Sequence, residues 1–95
     1  MKITIAPPAR RDLEDQLIYL IEHDAPAAAL RLEQRLVTFI ERTLSAHPRS
    51  GTFVGHRNLW EVWIPRTRLV LWYRFTSDEL QIVRVWHSAQ DRDAP

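Results

Sequence analysis

The spacing of the hydrophobic residues changes once along this chain, and that change limits the folds open to it. From residue 8 to residue 46 the large apolar residues recur every three or four positions, as they do on one face of a helix. From residue 59 to residue 87 they alternate with other residues, as they do in strands with one buried face. With only 95 residues, we expect a single α+β domain that spans the whole chain, residues 1–95.

The first half of the chain predicts a short strand and two helices. The strand covers residues 2–6 and ends at Pro7-Pro8, because proline cannot donate to a β-ladder and favours the first turn of a helix. We expect one helix from about residue 8 to 23 and a longer one from about residue 25 to 46, before Pro48. Their short connection predicts an antiparallel hairpin.

The second half predicts three strands joined by tight turns. Alternating apolar residues place these strands at 59–64, 68–75 and 80–87. Together with the first strand they would form a small antiparallel sheet in the order β-α-α-β-β-β, with the helix hairpin packed on one face. The polar residues from about 88 onward are expected to form a tail.

Composition excludes several classes of protein and of site. The chain has no cysteine, which fits the reducing cytoplasm, and no apolar run of the roughly 20 residues that span a bilayer. No two histidines have the spacing of metal ligands. We therefore expect a cytoplasmic protein with no membrane contact, no metal and no other cofactor. No catalytic residue is expected either, because His87 has no second catalytic group at readable spacing.

The charge is nearly balanced overall but is uneven along the chain. The formal net charge is +1. Four arginines and a single carboxylate, Glu61, lie between residues 57 and 76. This is a local basic patch, and it is weaker than the basic stripe of a dedicated nucleic-acid-binding protein.

The tryptophans predict one core residue and one exposed pair. Trp60 is expected to point to the core with Val62 and Ile64, and strand alternation then places Trp63 and Trp72 on the opposite, open face. Exposed tryptophan is unfavourable unless a partner covers it, so this pair predicts an interface.

The ionisable residues leave more alternatives open. Arg66 and Arg68 flank a turn and either bind a target or are solvated, whereas Arg74 and Arg84 are expected to contact a partner or to form salt bridges at the edge of the core. His87 is interpreted as a structural residue at a strand end rather than a general base. The acidic residues near the start of the first helix are expected to be solvated there: Asp12, Glu14 and Asp15.

Several segments together resemble one family. The segments are residues 8–13 (PARRDL), His47-Pro48, residues 59–67 (LWEVWIPRT), residues 72–74 (WYR) and residues 82–91 (IVRVWHSAQD). In this order and spacing they are similar to the ParE/RelE superfamily of type II toxin–antitoxin toxins, and in particular to its ParE-like members, the plasmid stabilisation system toxins. The resemblance covers nearly the whole chain and implies the small RelE/ParE-like fold.

The resemblance also separates two activities. RelE-type members cleave mRNA on the ribosome with basic residues on the open sheet face and an arginine after the last strand. The matching positions here hold Glu61, Trp63, Val70 and Gln90. The resemblance therefore implies the ParE side, whose members inhibit DNA gyrase. Arginine is also usual in ParE at the position of Gln90, and Arg92 could supply the missing charge.

The resemblance implies partners as well. We expect a ParD-like antitoxin that lays an amphipathic helix and an extended tail on the toxin, a hetero-oligomer, and operator DNA bound only through the antitoxin. The residues expected to bind partners are Trp63, Arg66, Arg68, Trp72, Arg74, Arg84, His87, Gln90 and Arg92. Two alternatives remain: a ribosome-dependent mRNA endonuclease that would depend on Arg66, Arg68 or His87, and an inactive member that only binds its antitoxin.

Overall fold

The computed structural model describes residues 1–88, which form two helices and five strands. The elements are β1 (Lys2–Ile5), α1 (Pro7–Glu22), α2 (Pro26–Phe39), β2 (Thr52–Val54), β3 (Leu59–Trp63), β4 (Leu69–Phe75) and β5 (Glu79–His87). A π-helical turn, Ile40–Leu44, continues α2, and a 3-10 turn, Gly55–Arg57, joins β2 to β3.

The five strands form one sheet in the order β1-β5-β4-β3-β2. The pairs β2–β3, β3–β4 and β4–β5 are antiparallel, whereas β1 pairs with β5 in parallel. The predicted α+β fold is confirmed, but the sheet is mixed rather than wholly antiparallel. The direction of β1 is not determined by a hairpin turn, because the whole helix hairpin and three strands separate it from β5. Strand β2 was not predicted, since its three residues are too few to show alternation.

The helices and the sheet share one hydrophobic core. The helical side contributes Ala9 of α1 and, from the second helix and its π-helical extension, Leu36, Ile40 and Leu44, each with at most 6% of its surface exposed. The sheet side contributes Leu69, Leu71 and Tyr73, which alternate along β4, then Leu80, Ile82 and Val85 of β5, where a register shift interrupts the alternation, and Ile64, which follows β3. As predicted, Trp60 and Val62 pack against this core.

Strand β5 is longer than β1, and α1 covers the part of the edge that β1 leaves open. Strand β1 pairs only with residues 79–82 of β5. Farther along, the Asp12 carboxylate accepts hydrogen bonds from the Val85 N–H (3.0 Å) and from Arg84 Nε and Nη2 (2.7 and 2.9 Å). The expectation that Asp12 is solvated is therefore wrong. Its position on the inner side of α1 supplies an acceptor to a backbone N–H at a strand edge.

No helix within residues 1–88 is long and apolar enough to cross a membrane.

Candidate functional site

The sheet face opposite the helices carries a row of aromatic residues. The strand register places Trp63, Val70 and Trp86 side by side on β3, β4 and β5, and Trp72 lies two residues along β4 from Val70. We call the surface formed by these three tryptophans and Val70 the aromatic face. Trp63 is 58% exposed, as predicted from the alternation, but Trp72 is only 5% exposed, so its predicted exposure is wrong.

Neighbouring side chains bury Trp72. Its indole Nε1 donates a 2.8 Å hydrogen bond to Glu61 Oε2. The Arg57 guanidinium carbon lies 4.8 Å from the ring centroid, and the Trp86 ring packs against it edge-on at a centroid distance of 6.2 Å. Strand alternation correctly predicts the face of Trp72, but it does not reveal that Arg57 and Trp86 cover it.

Glu61 and Arg84, the register partners of Trp72 on β3 and β5, are already engaged. Glu61 accepts the hydrogen bond from Trp72, and Val70 is fully buried. Arg84 was expected either to contact a partner or to form a salt bridge at the edge of the core. It forms a salt bridge with Asp12. The hydrogen bond to Asp12 raises the pKa of Arg84 above its ordinary value. Trp86 Nε1 is buried with no hydrogen-bond partner among the described residues. This face thus presents the exposed ring of Trp63, and beside it the exposed Arg57 lies on the Trp72 ring.

Tyr73, in the segment WYR that contributes to the family resemblance, is a core residue. Its hydroxyl donates to the Pro48 carbonyl oxygen (2.8 Å) and accepts from the Gly51 N–H (3.1 Å), which joins β4 to the segment that follows the helices. Burial raises the pKa of Tyr73 above 10.0. The hydroxyl therefore stays protonated at neutral pH and has a structural role.

A second candidate surface lies between the second helix and the β3–β4 turn. Five arginines line two adjoining hollows of about 460 and 260 Å³ there. We call this surface the arginine groove; its arginines are Arg31, Arg35, Arg42, Arg66 and Arg68.

The β3–β4 turn is held against the helix at this groove. Arg35 Nη1 donates a 3.2 Å hydrogen bond to the backbone oxygen of Arg66, whose φ of 64° lies in the left-handed region. His87, at the end of β5, lines the narrower hollow beside Arg68. Three of the predicted residues, Arg66, Arg68 and His87, are therefore brought together.

The other predicted residues lie elsewhere. Arg74 is exposed and lines a small hollow with Phe75 and Glu79, near the turn to β5. Gln90 and Arg92 fall outside the described residues. Within residues 1–88 no three histidine, aspartate or glutamate side chains are grouped so that they could hold a metal ion.

The sequence predictions missed the arginines of the second helix. Arg31, Arg35 and Arg42 are spaced i, i+4 and i+11, which places them on one side of a helix. That spacing could have identified them as a row. It could not have shown that the row faces the β3–β4 turn.

The similarity to known proteins agrees with this architecture. The family model described as the ParE toxin of the type II toxin–antitoxin system parDE matches residues 3–92. The chain belongs to the ParE toxin family. This toxin is 29% identical, over 92 residues, to Toxin RelE1 of Caulobacter vibrioides, and the match covers 95% of this chain and 96% of that protein.

A solved structure also has the same fold as the toxin. It is described as the chromosomal ParDE TA system from P. aeruginosa and superposes with a TM-score of 0.73 at 19% sequence identity. The superposition covers 92% of this chain and 95% of that one. The fold and the family thus place the chain among the type II toxins of the ParE/RelE superfamily.

Proposed function

We propose that this toxin inhibits DNA gyrase in the cytoplasm and is neutralised by a ParD-like antitoxin, as in a plasmid stabilisation system. Membership of the ParE family supports the proposal. The observation that carries it is the state of the aromatic face. Ribonuclease chemistry on that face would need preorganised positive charge at the scissile phosphate and a group that transfers a proton. The positions of the basic residues on the RelE sheet face hold other residues here. They are Glu61, which is hydrogen-bonded to Trp72, the buried Val70, and Trp63, whose ring is exposed.

The exposed apolar side chains support an antitoxin partner. Trp63 is 58% exposed, and five large apolar residues of the helix hairpin are each at least 45% exposed: Ile18, Tyr19, Ile21, Leu30 and Val37. An amphipathic helix of an antitoxin could cover side chains of this kind, and such segments commonly fold on binding. We propose a hetero-oligomer in which Trp63 contacts the antitoxin.

A second candidate function is ribosome-dependent mRNA cleavage. Two observations favour it: Arg66, Arg68 and His87 lie together at the arginine groove, and the Caulobacter vibrioides relative is named RelE1. In that case the chemistry would take place at the groove and not on the aromatic face.

Induction of the toxin without its antitoxin separates the two candidates. Plasmid topology and the positions of mRNA 5′ ends are followed in the same culture. The gyrase proposal predicts loss of negative supercoiling with intact mRNA, and it predicts rescue by coexpression of the antitoxin. Cleaved mRNA together with normal supercoiling would establish the endonuclease instead, provided that Arg68→Ala or His87→Ala abolishes the cleavage.

Two groove variants and one control variant identify the contact residues. Arg66→Ala and Arg68→Ala each remove one charge at the groove, and Arg10→Ala removes one exposed charge from α1. If the groove contacts the target, the two groove variants lose growth inhibition while Arg10→Ala retains it.

A further inference from the structure

The arginine groove concentrates positive charge that no acidic side chain within residues 1–88 neutralises. Among the described residues, no aspartate or glutamate lines either hollow. Within residues 1–88 the salt bridge is that of Arg84 with Asp12, and the groove arginines form none. Arg31 and Arg35 are one helical turn apart, a spacing at which like charges repel. A bound polyanion would relieve that repulsion.

The remaining polar residues of the wider hollow are also hydrogen-bond donors. Gln34, Thr38 and Thr43 lie among the arginines. From Arg31 to Arg42 the row is about 16 Å long, because a helix rises about 1.5 Å per residue. Guanidinium, hydroxyl and amide groups are the side-chain groups that contact phosphate and sugar oxygens in nucleic-acid complexes.

The turn side of the groove is positioned rather than loose. Arg35 donates to the Arg66 backbone oxygen, so part of its guanidinium fixes the turn. The side chains of Arg66 and Arg68 are exposed at the groove. Arginine thus lines both walls, and a linear chain of negative charges could lie between them.

We propose that the arginine groove binds the phosphate backbone of a nucleic acid. The toxin then contacts nucleic acid directly and not only through its antitoxin, whether or not gyrase is its target. The wider hollow favours phosphate over an acidic peptide. Its apolar lining is limited to Phe39 and Pro65, whereas peptide grooves on helices depend on several apolar anchors. The smaller hollow is more apolar, with Tyr19, Leu20 and Leu32 in its lining, so we place the phosphates at the wider hollow.

Fluorescence anisotropy of the full-length toxin tests the proposal. The probes are a labelled DNA duplex of arbitrary sequence and single strands of DNA and RNA of the same length. The test variant is Arg31→Gln/Arg42→Gln, because these two side chains form no hydrogen bond or ion pair with other described residues. The control is Arg10→Gln/Arg11→Gln, which removes the same charge from exposed positions on α1. Circular dichroism confirms that each variant is folded.

If the groove binds phosphates, the affinity for nucleic acid should fall steeply as the salt concentration rises. With about four phosphate contacts, duplex affinity falls roughly a hundred-fold between about 50 and 200 mM salt. Arg31→Gln/Arg42→Gln lowers the slope of log affinity against log salt by about 2, whereas the control keeps the wild-type slope. The three probes show which nucleic acid is preferred.

Three results would overturn the proposal. The first is no binding to any of the three probes at the lowest salt concentration. The second is an equal loss of affinity in the groove variant and in the α1 control. The third concerns competition, with competitors compared by their concentration of negative charges. If a polyglutamate peptide displaces the labelled oligonucleotide at a lower concentration than unlabelled oligonucleotide does, the groove is a peptide site.

Discussion

The contact of Asp12 with β5 makes a quantitative prediction about stability. Asp12→Ala removes two hydrogen bonds from Arg84 and one from the Val85 N–H. The Arg84 and Asp12 side chains are 31% and 18% exposed, so screening limits the ion pair to about 1 kcal/mol. The backbone bond to a charged acceptor adds about 2 kcal/mol. The expected loss is about 3 kcal/mol, out of a total of roughly 5 to 14 kcal/mol for a domain of this size.

Urea unfolding and thermal melting measure this loss. At about 4 to 8 °C per kcal/mol, Asp12→Ala is expected to lower Tm by roughly 12 to 24 °C. Asp12→Asn keeps one oxygen for the Val85 N–H and loses the charge, so it is expected to fall between the wild type and Asp12→Ala. Glu14→Ala is the control, since Glu14 is exposed on the same helix, and it should change stability by less than about 0.5 kcal/mol. Equal stability of Asp12→Ala and Glu14→Ala would show that Asp12 does not stabilise the β5 edge.

Three further variants test the core and the interface. Tyr73→Phe is expected to cost about 1 to 3 kcal/mol in urea unfolding, because two hydrogen bonds are lost. Burial raises the pKa of Tyr73 in the folded state above the unfolded value of 10.0, so this tyrosine's contribution is complete below pH 10 and declines as pH rises through the folded pKa. The stability gap between wild type and Tyr73→Phe should therefore narrow above pH 10, and a constant gap would contradict this. Gly51→Ala should cost about 1 to 3 kcal/mol or more, since the new Cβ would lie 2.5 Å from the Glu61 backbone oxygen and 2.6 Å from the Tyr73 hydroxyl; wild-type stability would refute that clash. Trp63→Ala should leave stability within about 0.5 kcal/mol but weaken antitoxin binding by about 2 kcal/mol in calorimetry, and unchanged affinity would remove Trp63 from the interface.

Local patterns predicted the elements of the fold well. Proline at the start of α1, the helical spacing up to Leu44 and the alternation in β3, β4 and β5 are all properties of neighbouring residues. Strand β2 has too few residues to show alternation. The parallel partner of β1 was also beyond local patterns, because β5 begins more than 70 residues later in the chain.

The candidate site was harder to predict than the fold, because it is formed by contacts between residues that are distant in the sequence. Asp12 meets Arg84 across 72 positions of the sequence, and an acidic residue in the first turns of a helix is usually solvated. The face of Trp72 could be predicted, but its burial results from Arg57 and Trp86 on other elements. For the arginine groove, the residues on each wall are visible in the sequence. Their meeting depends on how the β3–β4 turn packs against α2.

Purified components test the proposed inhibition of DNA gyrase by this ParE-family toxin. The most direct test adds increasing amounts of the purified toxin to gyrase and relaxed plasmid and measures negative supercoiling, with the same toxin preincubated with its antitoxin as control. If the toxin inhibits gyrase, supercoiling falls as the toxin dose rises, and the antitoxin prevents this loss. Full supercoiling at a toxin concentration that cleaves mRNA in a ribosome-containing translation reaction would contradict the proposed inhibition.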